Sequence, residues 1–404
     1  MSGAAVAVTG LGAVCGFGWG LEPLRHGLAA GHTAIERFDR FDTAGYRTSL
    51  AAQAPLPPRG VDAAGGRRAT WADRFALAAA HEAMACAGLG ATLAGRAAGL
   101  FFGGATGGMF ESEEYFAAIG AGAGAAVSRL ASQQPSGPAD AVARALALAG
   151  PVTTTAAACA SATLALGAAL DALRSGEIEI ALAGGSDSLC RLTHAGFNAL
   201  RAIDERPCRP FRVERQGMSI GEGAGVLVLE TAEHARRRGA RVVGWLAGCG
   251  ASCDAYHMTS PDPGGEGISR AVAAALADAG VAADAIDFVN LHGTGTAAND
   301  AAEAKMLARV FGARARRLPA TSTKSLVGHL LGAAGGLEAV ATLLGLADGA
   351  VHPTAGEGTL DAALGVDLVV GAPRALPMAR RALSSNLAFG GANAACVLLH
   401  AEAR

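Results

Sequence analysis

Lysine is nearly missing from this chain: among its 33 Lys and Arg residues, only Lys305 and Lys324 are lysine. Charge of any sign is scarce, at 17% of 404 positions, and the net charge is −2. That balance excludes nucleic-acid binding and polybasic membrane attachment, both of which need a concentrated positive field. It does not imply disorder, because 51% hydrophobic residues and 57 Gly suit a large, closely packed α/β core in one big domain or two intimately packed ones. The eight Cys form no regular framework, and Cys249 with Cys253 has no second pair of ligands to complete a zinc site. No metal is expected. The glycines of GLGAVCGFGWG make no G-x-G-x-x-G run, so no dinucleotide cofactor is expected either. The start MSGAAVAVTGLG has no basic n-region and reads as a first strand, which points to a reducing cytoplasm. No charge occurs from Ala145 to Leu170. Gly150-Pro151 and three Thr interrupt that run, which fits a strand covered on both faces and a buried helix better than a membrane span.

What is present begins with VTTTAAACASATLALGAALDALR, Val152 to Arg174. Three β-branched Thr favour a strand, and the Ala and Leu from Ala160 onward favour a helix. Cys159 sits at the junction, where free N–H groups and the helix dipole are expected to ease ionisation of a thiol. Strands also fit Ala4–Thr9, Gly99–Gly104, Ile178–Ala183 and Gly225–Glu230, with helices at Asp73–Ala87 and Glu111–Ile119 and a loop from Gly120 to Pro138. After the charged crossing Glu233–Arg241 the alternation restarts, with strands ending before His292 and a helix over Gly332–Leu346. The reading is therefore two α/β halves, residues 1–240 carrying the Cys and residues 241–404 carrying the later motifs. Sites in such sheets form beyond the carboxyl ends of strands, and both Cys159 and His292 follow a strand directly.

A thiol, two histidines (His292 in LHGTGT, His329 in GHLLGAAGG) and Lys324 make a set suited to a thiolate nucleophile with electrophilic helpers. Together with VTGLGAV, DRF (Asp73–Phe75), ACAS (Ala158–Ser161), AGGSDS, RPF (Arg209–Phe211), GEGAG, Asp300 with Glu303, TKSLVGHLLGAAGG and SSNLAFGGANA, they span nearly the whole chain. In these motifs the chain resembles the β-ketoacyl-[acyl-carrier-protein] synthases, elongating condensing enzymes of the thiolase superfamily.

The resemblance implies a thiolase fold: two similar βαβαβαββ halves packed into a layered αβαβα core. It implies a decarboxylative Claisen condensation, in fatty acid or polyketide synthesis, between an acyl group held on Cys159 and malonyl-ACP. His292 and His329 would assist decarboxylation, with Lys324 and Glu303 forming an ion pair that orders them. Thr294 and Thr296 would hold the pantetheine arm. Phe389 would be the gate, its N–H and that of Cys159 forming the oxyanion hole. Thr106 would line the far end of an acyl tunnel, its hydroxyl lacking a partner, and Met218 would line the same tunnel. The partner would be an acyl carrier protein bringing its own phosphopantetheine, docked on the basic run Arg201 to Arg215, chiefly Arg206 and Arg209, or failing that at Arg67 and Arg68. The assembly would be a homodimer, or a heterodimer in which this is the active half beside a chain-length-factor homologue.

The chain departs from the usual pattern at Arg212, where an acidic residue is common, and at Gln216, Met218 and Ala388. A CoA-dependent thiolase is the enzyme alternative, but it would need a second reactive Cys in the Gly-rich turn, and Cys396 lies in the last strand instead. A papain-like hydrolase would share the Cys and one His only.

Overall fold

The computed structural model describes residues 3–58 and 69–403, so Arg67 and Arg68 lie outside the described residues. Ten strands make the frame. In the first half they are β1 (Val6–Cys15), β2 (Ala98–Gly103), β3 (Val152–Thr155), β4 (Ile180–Asp187) and β5 (Gly223–Glu230). In the second they are β6 (Gly244–Cys253), β7 (Phe288–Asn290), β8 (Pro319–Thr321), β9 (Arg381–Leu387) and β10 (Ala392–His400). The first five pair in the order β3-β2-β4-β5-β1, parallel up to β4 and antiparallel from there. The second five pair as β8-β7-β9-β10-β6, with the same change of direction after the third strand. The halves therefore share one topology, although their sequences are not visibly alike. They meet where β1 runs antiparallel to β6, Val6 opposite Leu246 and Val8 opposite Gly244. This duplicated arrangement is the thiolase fold.

The helices that matter are α1 (Trp71–Cys86), α2 (Ser161–Arg174), α3 (Arg191–Ala199), α4 (Glu266–Ala279), α5 (Ala297–Phe311) and α6 (Ala334–Asp348). Helix α1 starts two residues before Asp73 because Thr70 caps it: the Thr70 hydroxyl accepts from Asp73 N–H and the Asp73 carboxylate accepts from Thr70 N–H. Helices α2 and α6 are built from Ala, Leu and Gly and contribute to one hydrophobic core with strands of both halves. Their small residues permit very close approach. A Cβ on Gly336 would sit 2.5 Å from the carbonyl oxygen of Gly225 in β5, so only glycine fits there. The stretch Leu331–Asp348 is apolar and long enough to cross a membrane by length and composition, and 83% of it is buried inside the protein.

Two expectations change. The segment Gly120–Pro138 is not all loop: Val127–Leu130 is a 3-10 turn and a helix begins at Gly137. Strand β3 is not covered on both faces. Among the described residues it pairs only with β2, and Val152 is 40% exposed. The absence of charge over Ala145–Leu170 reflects a bare sheet edge followed by a buried helix.

Each half places the same strained turn before its central helix. Ala158 has φ 45° at the head of the 3-10 turn Ala158–Ala160, and α2 follows. Leu331 has φ 53° at the head of Leu331–Ala333, and α6 follows. A left-handed non-glycine residue costs roughly 1–3 kcal/mol and persists only where the surroundings hold it.

Candidate active site

Cys159 occupies the second position of the first turn, with its side chain buried at the start of α2. The turn is tied by Ser161, whose hydroxyl donates to the Ala158 carbonyl and accepts from Ala157 N–H. The Phe389 N–H points at the sulfur. Burial pushes the Cys159 thiol up to about 11, and neither the Lys324 charge nor the Phe389 N–H reverses this. The expected lowering by the helix start is thus outweighed by desolvation. The resting nucleophile is a thiol, with the consequence that alkylation of Cys159 by iodoacetamide should gain about tenfold in rate per pH unit through pH 9 and 10. A rate that levels off near neutrality would show an ionised resting thiolate.

His292, two residues after β7, and His329, two residues before the second strained turn, converge on this sulfur. Their rings are 5.2 Å apart, edge to face, and Cys159 Sγ and one nitrogen of each histidine lie within 4.8 Å of one another. The hydrogen bonds fix both tautomers. His329 Nδ1 accepts from Leu331 N–H at 3.1 Å, so the ring proton is on Nε2, which has no hydrogen-bond partner among the described residues. Asn386 Nδ2 donates one hydrogen to Glu338 Oε2 at 2.7 Å and the other to His292 Nδ1 at 3.2 Å, so the His292 proton is also on Nε2. Burial first, then the Lys324 ammonium, holds both imidazoles well below their ordinary pKa and therefore neutral. The site presents two N–H donors beside a thiol. Its three donor atoms are close enough to share one ion, but the positive field of Lys324 works against a second cation.

Lys324 is 1% exposed and is paired with Glu338 on α6, not with Glu303. The expected Lys324–Glu303 pair is incorrect because Glu303 is already committed. Its Oε1 accepts from His292 N–H and its Oε2 from Gly293 N–H, both at 2.7 Å, and Asn299 Nδ2 adds a third bond at 2.8 Å. Burial raises its pKa against the pull of these donors. Glu303 is a clamp on the His292 loop. Glu338 and Asn386 escaped the sequence reading, although Glu338 is the lone carboxylate inside the apolar run AGGLEAVATLLGLA and could have been noticed there.

A cavity of about 350 Å³ opens onto Cys159, His292 and His329. Met218, Thr294, Thr296 and Phe389 line it, as expected, and Arg201, Gln216, Thr259 and Asn299 complete its walls. Thr294 and Thr296 share a hydroxyl hydrogen bond of 3.0 Å. Thr106 is not among the lining residues, and its hydroxyl is not unpartnered. It donates to Asp187 Oδ1 at 2.9 Å, and Asp187 further accepts the N–H groups of Ala105, Thr106 and Gly332. Asp187 therefore pins the second strained turn to the first half, and Thr106 helps to hold Asp187. Arg209 is also misassigned as a surface residue: it is 7% exposed and spent on Asp204 at 3.1 and 3.3 Å. Of the two expected docking residues, only Arg206 is exposed.

A thiol and two neutral histidine donors in a thiolase fold define a condensing acyltransferase. The chain belongs to the β-ketoacyl synthase family: the models of its N-terminal and C-terminal domains match residues 4–235 and 243–357. It is 36% identical over 398 residues to nodulation protein E of Rhizobium meliloti, covering 96% of this chain and 97% of that protein. It is 35% identical over 410 residues to 3-oxoacyl-[acyl-carrier-protein] synthase 2 of Staphylococcus aureus, covering 98% and 99%. The solved ishigamide ketosynthase/chain length factor matches with a TM-score of 0.93 at 34% identity, over 99% of this chain and 100% of that one.

Proposed function

We propose that this chain is a β-ketoacyl-ACP synthase in which Cys159 carries the growing acyl group and the histidine pair drives decarboxylation. The observation that carries this reading is the convergence of the thiol and one nitrogen of each histidine within 4.8 Å, with the hydrogen bonds leaving both ring protons on Nε2. In the loading step the sulfur attacks the acyl thioester carbonyl, and its proton leaves on the departing pantetheine sulfur. The N–H groups of Cys159 and Phe389 stabilise the oxyanion. In the second step malonyl thioester places its carbonyl oxygen between the two Nε2–H groups. Loss of CO₂ moves an electron pair onto that oxygen, and fixed donors stabilise the enolate without reorganising. Its carbon then attacks the acyl carbonyl, the C–S bond to Cys159 breaks, and the sulfur takes up one proton. Thr294 and Thr296 bind the pantetheine amides and Met218 flanks the chain, a reading supported by their position in the cavity lining.

The half-reactions separate the roles. His292→Ala and His329→Ala should still form acyl-Cys159 by intact mass, while condensation falls about 10²- to 10³-fold, the scale of one lost oxyanion donor. Equal loss of both steps would refute the division.

The acyl carrier protein is supported as partner by the relative's activity, and exposed Arg206 is a suitable contact for an acidic carrier. The bare edge of β3 supports a second chain of the same fold as neighbour, either an identical copy or a chain length factor of the kind solved with the ishigamide ketosynthase. Phosphopantetheine arrives with the carrier, so the reading needs no resident cofactor. A free thiol nucleophile needs a reducing compartment, and we place the enzyme in the cytoplasm.

A further inference from the structure

The run Arg206 to Met218 is a wall between two cavities. Arg215, Gln216 and Met218 face the catalytic one. On the other side Arg206, Arg209 and Arg212 line a cavity of about 430 Å³, closed by His32, Thr33, Thr354 and Glu357. Nothing in the condensation uses this second space.

Arg212 is the anomaly there. It is 5% exposed, yet among the described residues no carboxylate lies within ion-pair distance of it. Among the described residues its guanidinium makes one hydrogen bond, from Nη2 to the Gly356 carbonyl at 3.1 Å, and its Nε is buried without a partner. A guanidinium buried in this way is costly unless an anion answers it. Arg209 is satisfied by Asp204, whereas Arg206 is exposed at the edge of the same cavity. Two carboxylates are near. Glu357 lines the cavity as an exposed side chain, and Glu214 acts on Arg212 only at a distance, its Oε2 being taken by Thr359 N–H. With Arg209 answered by Asp204, the lining sets the guanidinium groups of Arg206 and Arg212 against the one carboxylate of Glu357. Arginine's planar fork matches phosphate oxygens in pairs, and the cavity is larger than a bare phosphate needs, leaving room for an attached group.

We propose that this second cavity binds the phosphate group of a small phosphomonoester, with Arg212 and Arg206 as its ligands. Arginine at position 212 stands where the family pattern leads one to expect an acid, which makes the site a property of this chain.

Isothermal titration of the full chain in phosphate-free buffer tests this, with inorganic phosphate, adenosine 3′,5′-bisphosphate and succinate as probes. A single saturable site for a phosphate probe is expected, unchanged after Cys159 is alkylated. Tighter binding of the bisphosphate would identify a phosphoester as ligand, and equal binding would identify free phosphate. Binding should weaken at least about tenfold in Arg212→Leu and in Arg206→Gln. Should Arg212→Leu fail to fold, Arg212→Lys keeps the charge and loses the fork, and should still weaken binding several-fold. The proposal fails if neither phosphate probe binds, if succinate binds equally well, if the variants bind like the native chain, or if alkylation of Cys159 abolishes binding and so places the anion in the catalytic cavity.

Discussion

Lys324→Ala should lose both stability and condensation. The ammonium is buried against Glu338, and removing it leaves a carboxylate in the interior with only Asn386 to answer it. Breaking a buried pair in this way costs about 3–5 kcal/mol. The melting temperature should fall by several degrees, and condensation should drop by at least ~10²-fold as Asn386 is released from its position behind His292. The double variant Lys324→Met with Glu338→Leu separates the two effects. It removes both charges, so stability should return close to the native value, while condensation stays low because the polar support of the histidines is gone. Thermal melts and steady-state rates on the three proteins decide the matter. Native activity in the single variant would mean that the pair is structural only.

Cys159→Ala should abolish acylation. No acyl adduct should appear by intact mass with any acyl-ACP, whereas each of the other seven Cys can be replaced singly without that loss. Mapping an adduct to Cys249, Cys253 or Cys396 in the native protein would overturn the assignment. Geometry makes the result sharp: Cys159 alone among the eight sits on a strained turn with a backbone N–H aimed at its sulfur and two imidazoles within 4.8 Å.

The residues that the fold gathers around Cys159 were legible in the sequence because they lie in runs of small residues, where a Cys, a His or a lone Lys has no packing role to explain it. The alternation of strands and helices in two successive series was legible too, whereas the order of strands in the sheet was not. The partners inside the site were not. Whether Lys324 meets Glu303 or Glu338 depends on which helix crosses its strand end, and two carboxylates at helical positions look alike before the chain is folded. Thr106 and Arg209 failed for a similar reason. Each reads as exposed or pocket-lining from its neighbours, and each is held by an aspartate distant or hidden from view, Asp187 for one and Asp204 for the other. The ionisation state of Cys159 was misjudged because burial is a tertiary quantity, and here it exceeds the local helix effect.

The two strained turns carry a longer history. Two half-chains of one topology, each with a turn of the same kind before its central helix, are what end-to-end fusion of a symmetric dimer of half-length chains would leave. In such an ancestor, whatever one half displayed the other displayed also. In the present chain the position of Cys159 in the second turn is Gly332, whose N–H is anchored on Asp187, and the position of His329 in the first turn is Ala156. In this chain the first turn carries the thiol and the second turn follows the histidine donor. A pocket facing a symmetry axis with two equal sulfurs would have little use for two different substrates. Broken symmetry gives this one a side that stores the acyl group and a side that activates its partner.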